Sequence, residues 1–452
     1  MNNAKFREEQ KVEKFEIRED FYLDGKKIKI ISGGMHYFRI LPEYWRDRLE
    51  KLKALGCNTV ETYIPWNLHE KHKGTFDFGG MLDVARYVKT AQELGLMVIL
   101  RPSPYICGEW EFGGLPYWLL KEDGMRLRCM YEPYIRHIRD YYKVLFEVIA
   151  PLQITRGGPV IMMQAENEYG YYGDDSAYME FIKNLMIENG CEVPLVTSDG
   201  PWGEAFEHGK VEGALPTGNF GSKGRAQFEL MKKKIGNKPL MCMEFWDGWF
   251  NRWKEKIITR DPADLAMEVA ELLKRASINL YMFQGGTNFG FYNGCSARGY
   301  TDLPQITSYN YDALMTEWGE PTAKFYQVRQ VVRKMFPHLK TMEPRDRKRI
   351  AYGQAVPTGQ VSLFSCVDSL AECQKSAVPL SMEEAGSGYG YMFYRTHVRG
   401  YNKKMKVKAV QASDRVQYYL NRVFEGTHYQ NNSGEELELY FKEDNELALL
   451  VE

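Results

Sequence analysis

Residues 157–170 read GGPVIMMQAENEYG, and this stretch decides the fold. Its apolar run, residues 159–163, has the length and composition of a fully buried strand. The run ends abruptly in polar residues, which include Glu166 and Glu168. A buried strand with carboxylates at its carboxyl end is typical of a parallel barrel of strands and helices, because the loops on that face carry the chemistry.

Residues 238–250, KPLMCMEFWDGWF, repeat this design. Residues 238–243 predict a second buried strand, and Glu244 follows it among aromatic side chains. An isolated Glu-Asn-Glu tripeptide more often forms salt bridges in a loop, but two strand ends of the same kind favour a shared site. Paired carboxyls can act as acid and nucleophile on a glycosidic bond, and aromatic rings offer a sugar an apolar face. The two stretches together therefore indicate glycoside chemistry.

Two further motifs extend the pattern: residues 101–120, RPSPYICGEWEFGGLPYWLL, and residues 281–291, YMFQGGTNFGF. Together with residues 157–170 they closely resemble the family 35 β-galactosidases, and the resemblance runs from about Asp24 to Trp318 before it weakens. It implies a retaining enzyme that removes terminal β-galactose, without a metal or other cofactor. The eight histidines agree with that expectation, since they form no HxxxH pair or ligand-type carboxylate cluster.

The resemblance also assigns roles to particular residues. It implies that Glu168 is the general acid/base and Glu244 the nucleophile. Glu166 is the rival candidate for the acid, because residues 166 and 168 of an extended segment point to the same side. The family has an asparagine directly before the acid, which favours Glu168 and gives Asn167 the sugar 2-hydroxyl. The other residues expected to bind substrate are Tyr63, Cys107, Gly108, Glu109 and Tyr311 for galactose, with Trp246 and Trp249 as candidates for stacking the second sugar.

Proximity would set the charges of the two glutamates. In a retaining glycosidase the two carboxyls stand about 5 to 5.5 Å apart, close enough for direct attack on the anomeric carbon. An ionised Glu244 at that distance, together with partial burial, should raise the pKa of Glu168 so that it keeps its proton near neutral pH. Glu168 could then protonate the leaving oxygen and later deprotonate water.

Short apolar strands alternate with amphipathic helices along the first part of the chain. In the first such unit, a strand ends near His36, a helix runs from Pro42 to Gly56, and a second strand ends near Tyr63. The pattern gives about eight strands over roughly 300 residues, which predicts an α/β fold with a (β/α)8 TIM barrel. An open doubly wound sheet is disfavoured, because GGMH at residues 33–36 lacks the GxGxxG spacing of a phosphate-binding turn. We expect His36 to be a structural donor near the site.

The composition changes beyond the barrel. We expect a catalytic (β/α)8 barrel with an N-terminal extension over residues 1–340, a polar linker over 341–349, and a β-sandwich, jelly-roll-like accessory region over 350–452. The strand candidates there are QVSLFS, GYMFYRTHV, KVKAV, RVQYYLN, ELELYF and ELALLVE. Because ELALLVE looks like a core strand and the family continues further, we expect the last β domain to be incomplete at the C-terminus.

Net charge and cysteine usage indicate which partners and which cellular compartment to expect. The formal net charge is -1, from 59 Lys and Arg against 60 Asp and Glu, which makes nucleic acid and anionic membranes poor candidate partners. Residues 1–20 are charged throughout and lack the apolar core of a secretory signal. Eight scattered cysteines without metal-type spacing are typical of a reducing compartment. We therefore expect a cytoplasmic enzyme for small galactose-terminated oligosaccharides, with a homodimer left open. The resemblance then implies a bacterial source, since eukaryotic members of the family are generally secretory or lysosomal.

Three alternatives stay open at this point. A different exo-glycosidase, such as an exo-β-glucosaminidase, would use the same scaffold and would be separated by a panel of aryl glycosides. A sugar-binding pseudoenzyme would bind galactose without turnover, although Glu168, Glu244 and Asn167 together argue against it. An endo-acting polysaccharide hydrolase would release oligosaccharides instead of free galactose. The preferred linkage depends on loops outside these motifs.

Overall fold

The computed structural model describes residues 14–102, 104–299, 301–339, 341–345, 347–412 and 414–452. The described residues divide into two compact units. The first unit contains residues up to 294 together with 305–345, and the second contains the segment around 295–304 together with the residues from 347 onwards. Residues 295–304, which fall inside the predicted catalytic range, thus group with the second unit.

A small antiparallel sheet precedes the barrel. Its strands are β1 (Phe15–Ile17), β2 (Phe21–Leu23) and β3 (Lys26–Ile28), paired in that order. Asp24 and Gly25 form the turn between β2 and β3 with φ angles of 50° and 72°. Phe15 and Phe21 are buried, so this sheet is joined to the main hydrophobic core.

Eight parallel strands close into a barrel, which confirms the predicted fold. In chain order they are β4 (Ile31–Met35), β5 (Thr59–Tyr63), β6 (Met97–Arg101), β7 (Val160–Gln164), β8 (Leu195–Asp199), β9 (Leu215–Phe220), β10 (Met241–Trp246) and β11 (Ser277–Gln284). Each strand pairs in parallel with the next, and β11 pairs with β4 to close the ring. Nearly all their residues are buried, as expected for strands that are covered on both faces.

Helices connect the barrel strands. They are α1 (Pro42–Leu55), α2 (Trp66–His69), α3 (Val84–Glu93), α4 (Glu132–Ile149), α5 (Ser176–Glu188), α6 (Ala205–His208), α7 (Gly224–Ile235), α8 (Pro262–Leu273) and α9 (Ala323–Met335). The sequence predicted both ends of α1: Pro42 is its first residue, and Gly56 caps it with a left-handed φ of 114° that favours glycine. Among the described residues, no helix is both long and apolar enough to cross a membrane.

The second long helix starts later than its sequence pattern predicts. Residues 76–96 have the pattern of one amphipathic helix, but residues 80–82 form only a short 3-10 turn. The α-helix α3 begins at Val84 because the carboxylate of Asp83 accepts a hydrogen bond from the backbone N–H of Arg86 over 2.8 Å. Gly79 and Gly80 lie four and three residues before this cap and weaken any earlier helical turn.

The second unit is built mainly from antiparallel strands, as the sequence predicted. Its hairpin pairs β12 (Cys295–Arg298) with β13 (Thr301–Pro304). A four-stranded sheet has the order β14, β19, β16, β17, and a two-stranded sheet pairs β15 with β18. These strands are β14 (Met392–Arg399), β15 (Lys403–Val407), β16 (Val416–Leu420), β17 (Val423–His428), β18 (Leu437–Phe441) and β19 (Asp444–Val451). Leu420, Leu439 and Phe441 form their own small hydrophobic core.

One strand prediction in this unit is wrong. QVSLFS, residues 360–365, leads into a helix, α10 (Leu363–Leu370), and a second short helix is α11 (Met382–Ala385). Leu363, Val367 and Leu370 recur at helical spacing, a period that the six-residue window was too short to reveal. Phe364 packs edge-on against the ring of Phe393 at a centroid distance of 5.4 Å, which attaches α10 to β14.

Candidate active site

The two glutamates that the sequence singled out lie at the carboxyl ends of barrel strands. Glu244 is the fourth residue of β10 and is 6% exposed, while Glu168 follows the end of β7 by four residues. Because the strands run parallel in one closed barrel, both residues belong to the same face. The charge of Glu244 raises the pKa of Glu168, so the two carboxyls are close enough to interact.

The turn after β7 has an unusual backbone. Glu166 and Glu168 have left-handed φ angles of 56° and 44°, so the segment is not extended and the side-chain alternation used to compare them does not apply. The backbone N–H of Glu168 donates to the carbonyl of Ser198 over 3.0 Å. A Cβ on Gly170 would lie 1.7 Å from the carbonyl oxygen of Ala205. Glycine is therefore required where this turn packs against the loop after β8.

Three side chains donate to the carboxylate of Glu244. The hydroxyl of Tyr63 and Nη2 of Arg101 each lie 2.6 Å from Oε1. The indole Nε1 of Trp246 donates to Oε2 over 3.0 Å. One of these groups is a fixed cation, and all three stabilise negative charge on the carboxylate. Glu244 thus has the surroundings that an anionic nucleophile requires.

Arg101, the last residue of β6, is fully buried and links several polar side chains. Besides Glu244, its Nη2 contacts Oδ1 of Asn167 at 2.7 Å, and its Nε donates to Gln164 over 2.8 Å. Its Nη1 lies 3.5 Å from the carboxylate of Glu61 on β5. A buried guanidinium needs such partners, because an uncompensated charge in the core is costly. The sequence prediction did not select Arg101, which the structure places at the end of β6.

Asn167 and Tyr63, both predicted to bind galactose, lie beside Glu244. The Tyr63 hydroxyl is 2.9 Å from Oδ1 of Asn167 and 2.6 Å from Glu244. A tyrosine has one hydroxyl hydrogen to donate, and the shorter distance assigns it to the carboxylate. Nδ2 of Asn167 donates to the carbonyl of Ile106 over 3.3 Å, which leaves its second amide hydrogen available to a sugar hydroxyl.

Glu168 has a different environment. It is half-buried, and Oε1 accepts a hydrogen bond of 3.0 Å from Nδ2 of Asn219 on β9. Burial, followed by the charge of Glu244, raises the pKa of Glu168 to about 7. A carboxyl that titrates in this range can hold a proton and release it near neutral pH. The sequence prediction also missed Asn219, whose strand β9 contains a proline and a glycine and therefore has a weak strand pattern.

Glu166 is engaged elsewhere. Its two carboxylate oxygens accept from Nε and Nη2 of Arg128 at 3.1 and 2.8 Å, and the hydroxyl of Tyr178 donates to Oε1 over 2.9 Å. The side chain is fully buried. A two-point pairing of this kind fixes an anion strongly. Glu166 therefore anchors the turn, and Glu168 interacts with Glu244.

Cys107, Gly108 and Glu109 form the predicted galactose-binding segment after β6. Their φ angles of 56°, 57° and 48° are all left-handed, so the backbone turns sharply here. The hydroxyl of Tyr309 donates to Glu109, and burial raises the pKa of that carboxyl to about 7. Burial also raises the pKa of the Cys107 thiol to about 12, so this cysteine is not a thiolate nucleophile at neutral pH.

Aromatic rings surround this segment. Tyr311 is buried, and its ring centroid lies 5.5 Å from that of Tyr281 and 5.4 Å from that of Tyr309. His36 stacks near the same cluster, but its Nδ1 lies 2.7 Å from Nη1 of Arg39. Because a guanidinium can only donate, Nδ1 is an acceptor. The expected donor role of His36 is therefore wrong at this nitrogen.

The segment that carries Tyr311 is bonded to the loop after β10. The backbone N–H of Trp249 donates to the carbonyl of Tyr311 over 3.0 Å. A Cβ on Gly248 would lie 1.7 Å from that same oxygen. Only glycine allows this close approach, so the two segments are held together through their backbones.

Trp246 and Trp249 line a cavity next to Glu244. Their rings are perpendicular with centroids 5.4 Å apart, and Trp202 lies 6.4 Å from Trp246 on another side. The cavity has a volume of about 540 Å³. Its lining comprises Trp202, Phe220, Gly221, Ser222, Gln227, Trp246, Gly248, Trp249, Ile258, Arg260 and Asp264. Apolar rings with a few polar groups are typical of a small-molecule site.

All the predicted site residues lie at the ends of barrel strands or in the loops that follow them. Tyr63 follows this rule on β5, residues 107–109 after β6, and Tyr311 after β11. The missed residues Arg101 and Asn219 obey the same rule. Their positions at strand ends are the sequence signal, whereas their roles follow only from partners on other strands. Within the described ranges, no group of three or more His, Cys, Asp or Glu side chains is arranged to hold a metal ion.

Comparison with known sequences agrees with this fold. Residues 20–335 match the family described as Glycosyl hydrolases family 35, and residues 379–452 match the one described as Beta-galactosidase, first all-beta domain. Human beta-galactosidase-1-like protein 2 is 40% identical over 414 residues, which cover 89% of this chain and 64% of that protein. Beta-galactosidase 17 of Arabidopsis thaliana is 37% identical over 423 residues, covering 90% and 61%. The chain thus spans less than two thirds of the length of these relatives.

Solved structures share the fold at low sequence identity. The beta-galactosidase from the psychrophilic Marinomonas ef1 is 12% identical with a TM-score of 0.50, over 68% of this chain and 59% of that chain. GH5_18 from Streptomyces cattleya, in complex with GlcNAc, is 14% identical with a TM-score of 0.50, over 71% and 83%. The match over residues 20–335 covers well over half of the chain and includes both facing glutamates. The chain therefore belongs to glycosyl hydrolases family 35.

Proposed function

We propose that this chain is a retaining exo-β-galactosidase that removes terminal β-galactose from disaccharides and small oligosaccharides by double displacement. The observation that carries the proposal is the contrast between the two interacting carboxyls. Arg101 and Tyr63 donate to Glu244, while burial and the charge of Glu244 raise the pKa of Glu168 to about 7. Such a pair supplies an ionised nucleophile and a protonated acid at the same pH. The names of the relatives support galactose as the sugar.

In the first step an oxygen of Glu244 attacks the anomeric carbon and forms a galactosyl ester. Glu168 gives its proton to the glycosidic oxygen as the bond from that oxygen to the anomeric carbon breaks, so the second sugar leaves as a neutral alcohol. Asn167 offers its second amide hydrogen to the sugar 2-hydroxyl, a contact that strengthens in the oxocarbenium-like transition state.

In the second step water replaces the departed sugar. Glu168, now ionised, takes a proton from the water while the water oxygen attacks the anomeric carbon and expels the Glu244 carboxylate. The pKa of Glu168 has to fall between the two steps. Esterification of Glu244 accomplishes this, because it removes the neighbouring negative charge that raised the pKa.

Buried polar groups around residues 107–109 support a pocket for a single terminal sugar. Galactose differs from glucose only in its axial 4-hydroxyl. A site that hydrogen-bonds this hydroxyl rejects the epimer, since buried donors or acceptors would be left unpaired. Glu109, Tyr309 and Tyr311 are buried or half-buried groups of the required type. We assign the galactose to them.

The cavity lined by Trp246 and Trp249 supports the location of the second sugar. Its volume of about 540 Å³ lies within the range of about 300 to 1,000 Å³ that is common for small-molecule sites. Trp246 also donates to the nucleophile, so the cavity begins where the scissile bond would lie. Indole rings can stack on the apolar face of a sugar.

The test is hydrolysis of an aryl β-galactoside by this 452-residue chain beside its Glu244→Gln and Glu168→Gln variants. We expect release from the galactoside but not from an aryl β-glucoside or β-glucosaminide. The Glu244→Gln variant should lose at least about 10⁴-fold in kcat, because the nucleophile of a covalent mechanism is removed. Proton NMR of the first-formed galactose should show the β anomer, as retention demands.

Other outcomes would favour other functions. Turnover of the β-glucosaminide alone would indicate an exo-β-glucosaminidase. Galactose binding without turnover of any glycoside would indicate a sugar-binding protein. Release of oligosaccharides from a galactan, with no free galactose, would overturn exo action.

The cellular setting stays a proposal of the same kind. The relatives reported above are human and plant proteins, whereas we propose a bacterial cytoplasmic location, small galactose-terminated oligosaccharides as partners and a homodimer as the assembly to test. Cell fractionation would check the location, and sedimentation of the purified chain would check the assembly.

A further inference from the structure

We infer that Asn219 positions the acid/base carboxyl: it donates to Oε1 of Glu168 and thereby leaves Oε2 as the oxygen that carries the catalytic proton. The inference rests on the proposed function. Asn219 acts through Glu168 and is a positioning residue, not a catalytic one. An oxygen that already accepts an N–H hydrogen bond is the poorer site for a proton, so the bond selects between the two carboxyl oxygens.

Strand order explains how Asn219 comes to lie there. It is the fifth residue of β9, it is fully buried, and its register partner on β10 is Glu244. The neighbouring strand β8 contributes Ser198, whose hydroxyl donates to Oδ1 of Asn219 over 2.5 Å. Nδ2 of Asn219 then lies 3.0 Å from Oε1 of Glu168. A chain of two hydrogen bonds therefore runs from β8 through β9 to the acid.

The chemistry of Glu168 fixes the orientation of this amide. An ionised carboxylate can only accept, so the amide must present its N–H groups to Glu168 and its carbonyl to Ser198. When Glu168 is protonated on Oε2, its Oε1 still accepts. The same arrangement of Asn219 is therefore satisfied in both protonation states, and no group needs to rotate between the two catalytic steps.

Ser198 holds the acid at a second point. Its carbonyl accepts from the backbone N–H of Glu168 over 3.0 Å, while its hydroxyl fixes Asn219. Backbone and side chain of Glu168 are thus both tied to the adjoining strands. This matters because Glu168 lies on a left-handed turn with φ of 44°, outside the regular strand β7.

Most of the surroundings of Glu168 raise its pKa, whereas the hydrogen bond from Asn219 lowers it. Burial acts first, then the charge of Glu244, and Asn219 acts in the opposite direction by stabilising the ionised form. The titratable and charged groups that face Glu168 from the surrounding elements are Glu244, Arg101, Glu109, Cys107, Tyr171 and Asp199. Loss of the Asn219 donor should therefore raise the pKa of Glu168.

The first test measures how the rate depends on the leaving group. Because kcat/KM reports the steps up to formation of the galactosyl ester, it isolates the acid role of Glu168. With methyl β-galactoside, which needs a proton to leave, Asn219→Ala should lower kcat/KM by about 10- to 100-fold, part of what a general acid contributes. With dinitrophenyl β-galactoside, which leaves unaided, the loss should stay below about 3-fold. Ser198→Ala should show the same pattern with a smaller loss.

The second test is the pH profile of kcat/KM on methyl β-galactoside. Its alkaline limb should move to higher pH in Asn219→Ala. Asn219→Asp keeps the volume but replaces the donor by a second carboxylate, so it should move the limb further in the same direction. Filling of space alone predicts no shift of the alkaline limb in Asn219→Ala, and a lower melting temperature cannot by itself produce one.

The outcomes separate this inference from the proposed function. Equal losses on both substrates with an unmoved alkaline limb would overturn the role of Asn219 alone. A folded wild-type chain that hydrolyses neither substrate would overturn the proposed function and this inference with it. If Asn219→Ala fails to fold, Ser198→Ala decides by the same two readouts.

Discussion

The end of β10 and the turn after β7 each present a glutamate to the same face of the barrel, but they surround it differently. Glu244 accepts from a tyrosine, an arginine and a tryptophan. The bond described for the side chain of Glu168 comes from a neutral amide, and its pKa is raised to about 7. Identical residue types thus acquire opposite roles from the charge and number of their donors.

Glu166 has a third kind of surroundings. It lies two residues from Glu168, yet Arg128 and Tyr178 hold it in a buried ion pair. Closeness in sequence says little about function here, because two left-handed residues turn the chain between these side chains. The partners of each carboxyl are what distinguish the structural anion from the acid.

The largest effect should come from removing the cation at Glu244. We expect Arg101→Met to lower kcat by about 10³-fold, comparable to the loss of a preorganised electrostatic group in other enzymes. It should also lower the free energy of unfolding by about 3 to 5 kcal/mol, because Glu61 loses its buried cationic partner. Kinetics on an aryl β-galactoside and urea unfolding would check both. If the folded Arg101→Met variant kept a near-normal kcat, the cation beside Glu244 would not be what distinguishes Glu244 from Glu168.

Tyr63→Phe removes a neutral donor from the same carboxylate. A hydrogen bond to a charged group contributes about 1.5 to 3 kcal/mol, so kcat/KM should fall by about 10- to 100-fold. Tyr178→Phe is the matched control, because it removes a hydroxyl donated to the buried carboxylate of Glu166. It should leave kcat/KM unchanged while it lowers the melting temperature. Equal losses of kcat/KM in Tyr63→Phe and Tyr178→Phe would mean that the donor to Glu244 matters no more for catalysis than the donor to Glu166.

The pH dependence probes Glu168 directly. Its pKa of about 7 means that the acid is protonated below that pH and ionised above it. On a substrate that needs a proton to leave, kcat/KM should fall about tenfold per pH unit well above that pKa, because Glu168 is then ionised. The Glu168→Gln variant should lack this limb, whereas a limb that persists there would assign the titration to another group.

The smallest kinetic effect is expected at Glu166. Glu166→Gln should keep kcat/KM within about 3-fold at low temperature, with no dependence on the leaving group, since the acid is not removed. Its free energy of unfolding should fall by about 3 kcal/mol, because Arg128 becomes a buried cation without a counterion. A leaving-group-dependent loss as large as that of Glu168→Gln would exchange the roles of the two residues.

The barrel and several of its strand ends could be predicted, because a strand that is buried on both faces has a continuous apolar sequence that ends in polar residues. Glu244 and Tyr63 follow from that rule. Arg101 was missed because a buried guanidinium is identified only by its partners, which come from strands far apart in sequence. Asn219 was missed because β9, with a proline and a glycine, carries a weak strand pattern. Alternation could not separate Glu166 from Glu168, since their backbone is not extended.

The backbone bond between Trp249 and Tyr311 has a consequence for evolution and for engineering. The loop proposed to select the second sugar donates a backbone N–H to the carbonyl oxygen of Tyr311, which belongs to the segment proposed to select galactose. A Cβ at position 248 would clash with that same oxygen, so Gly248 keeps the two backbones at this close distance. A substitution or insertion that moves the backbone of one segment should therefore move the backbone of the other. New preferences for the second sugar should therefore arise by exchanging side chains at fixed backbone positions, because insertions into this loop would disturb recognition of galactose itself.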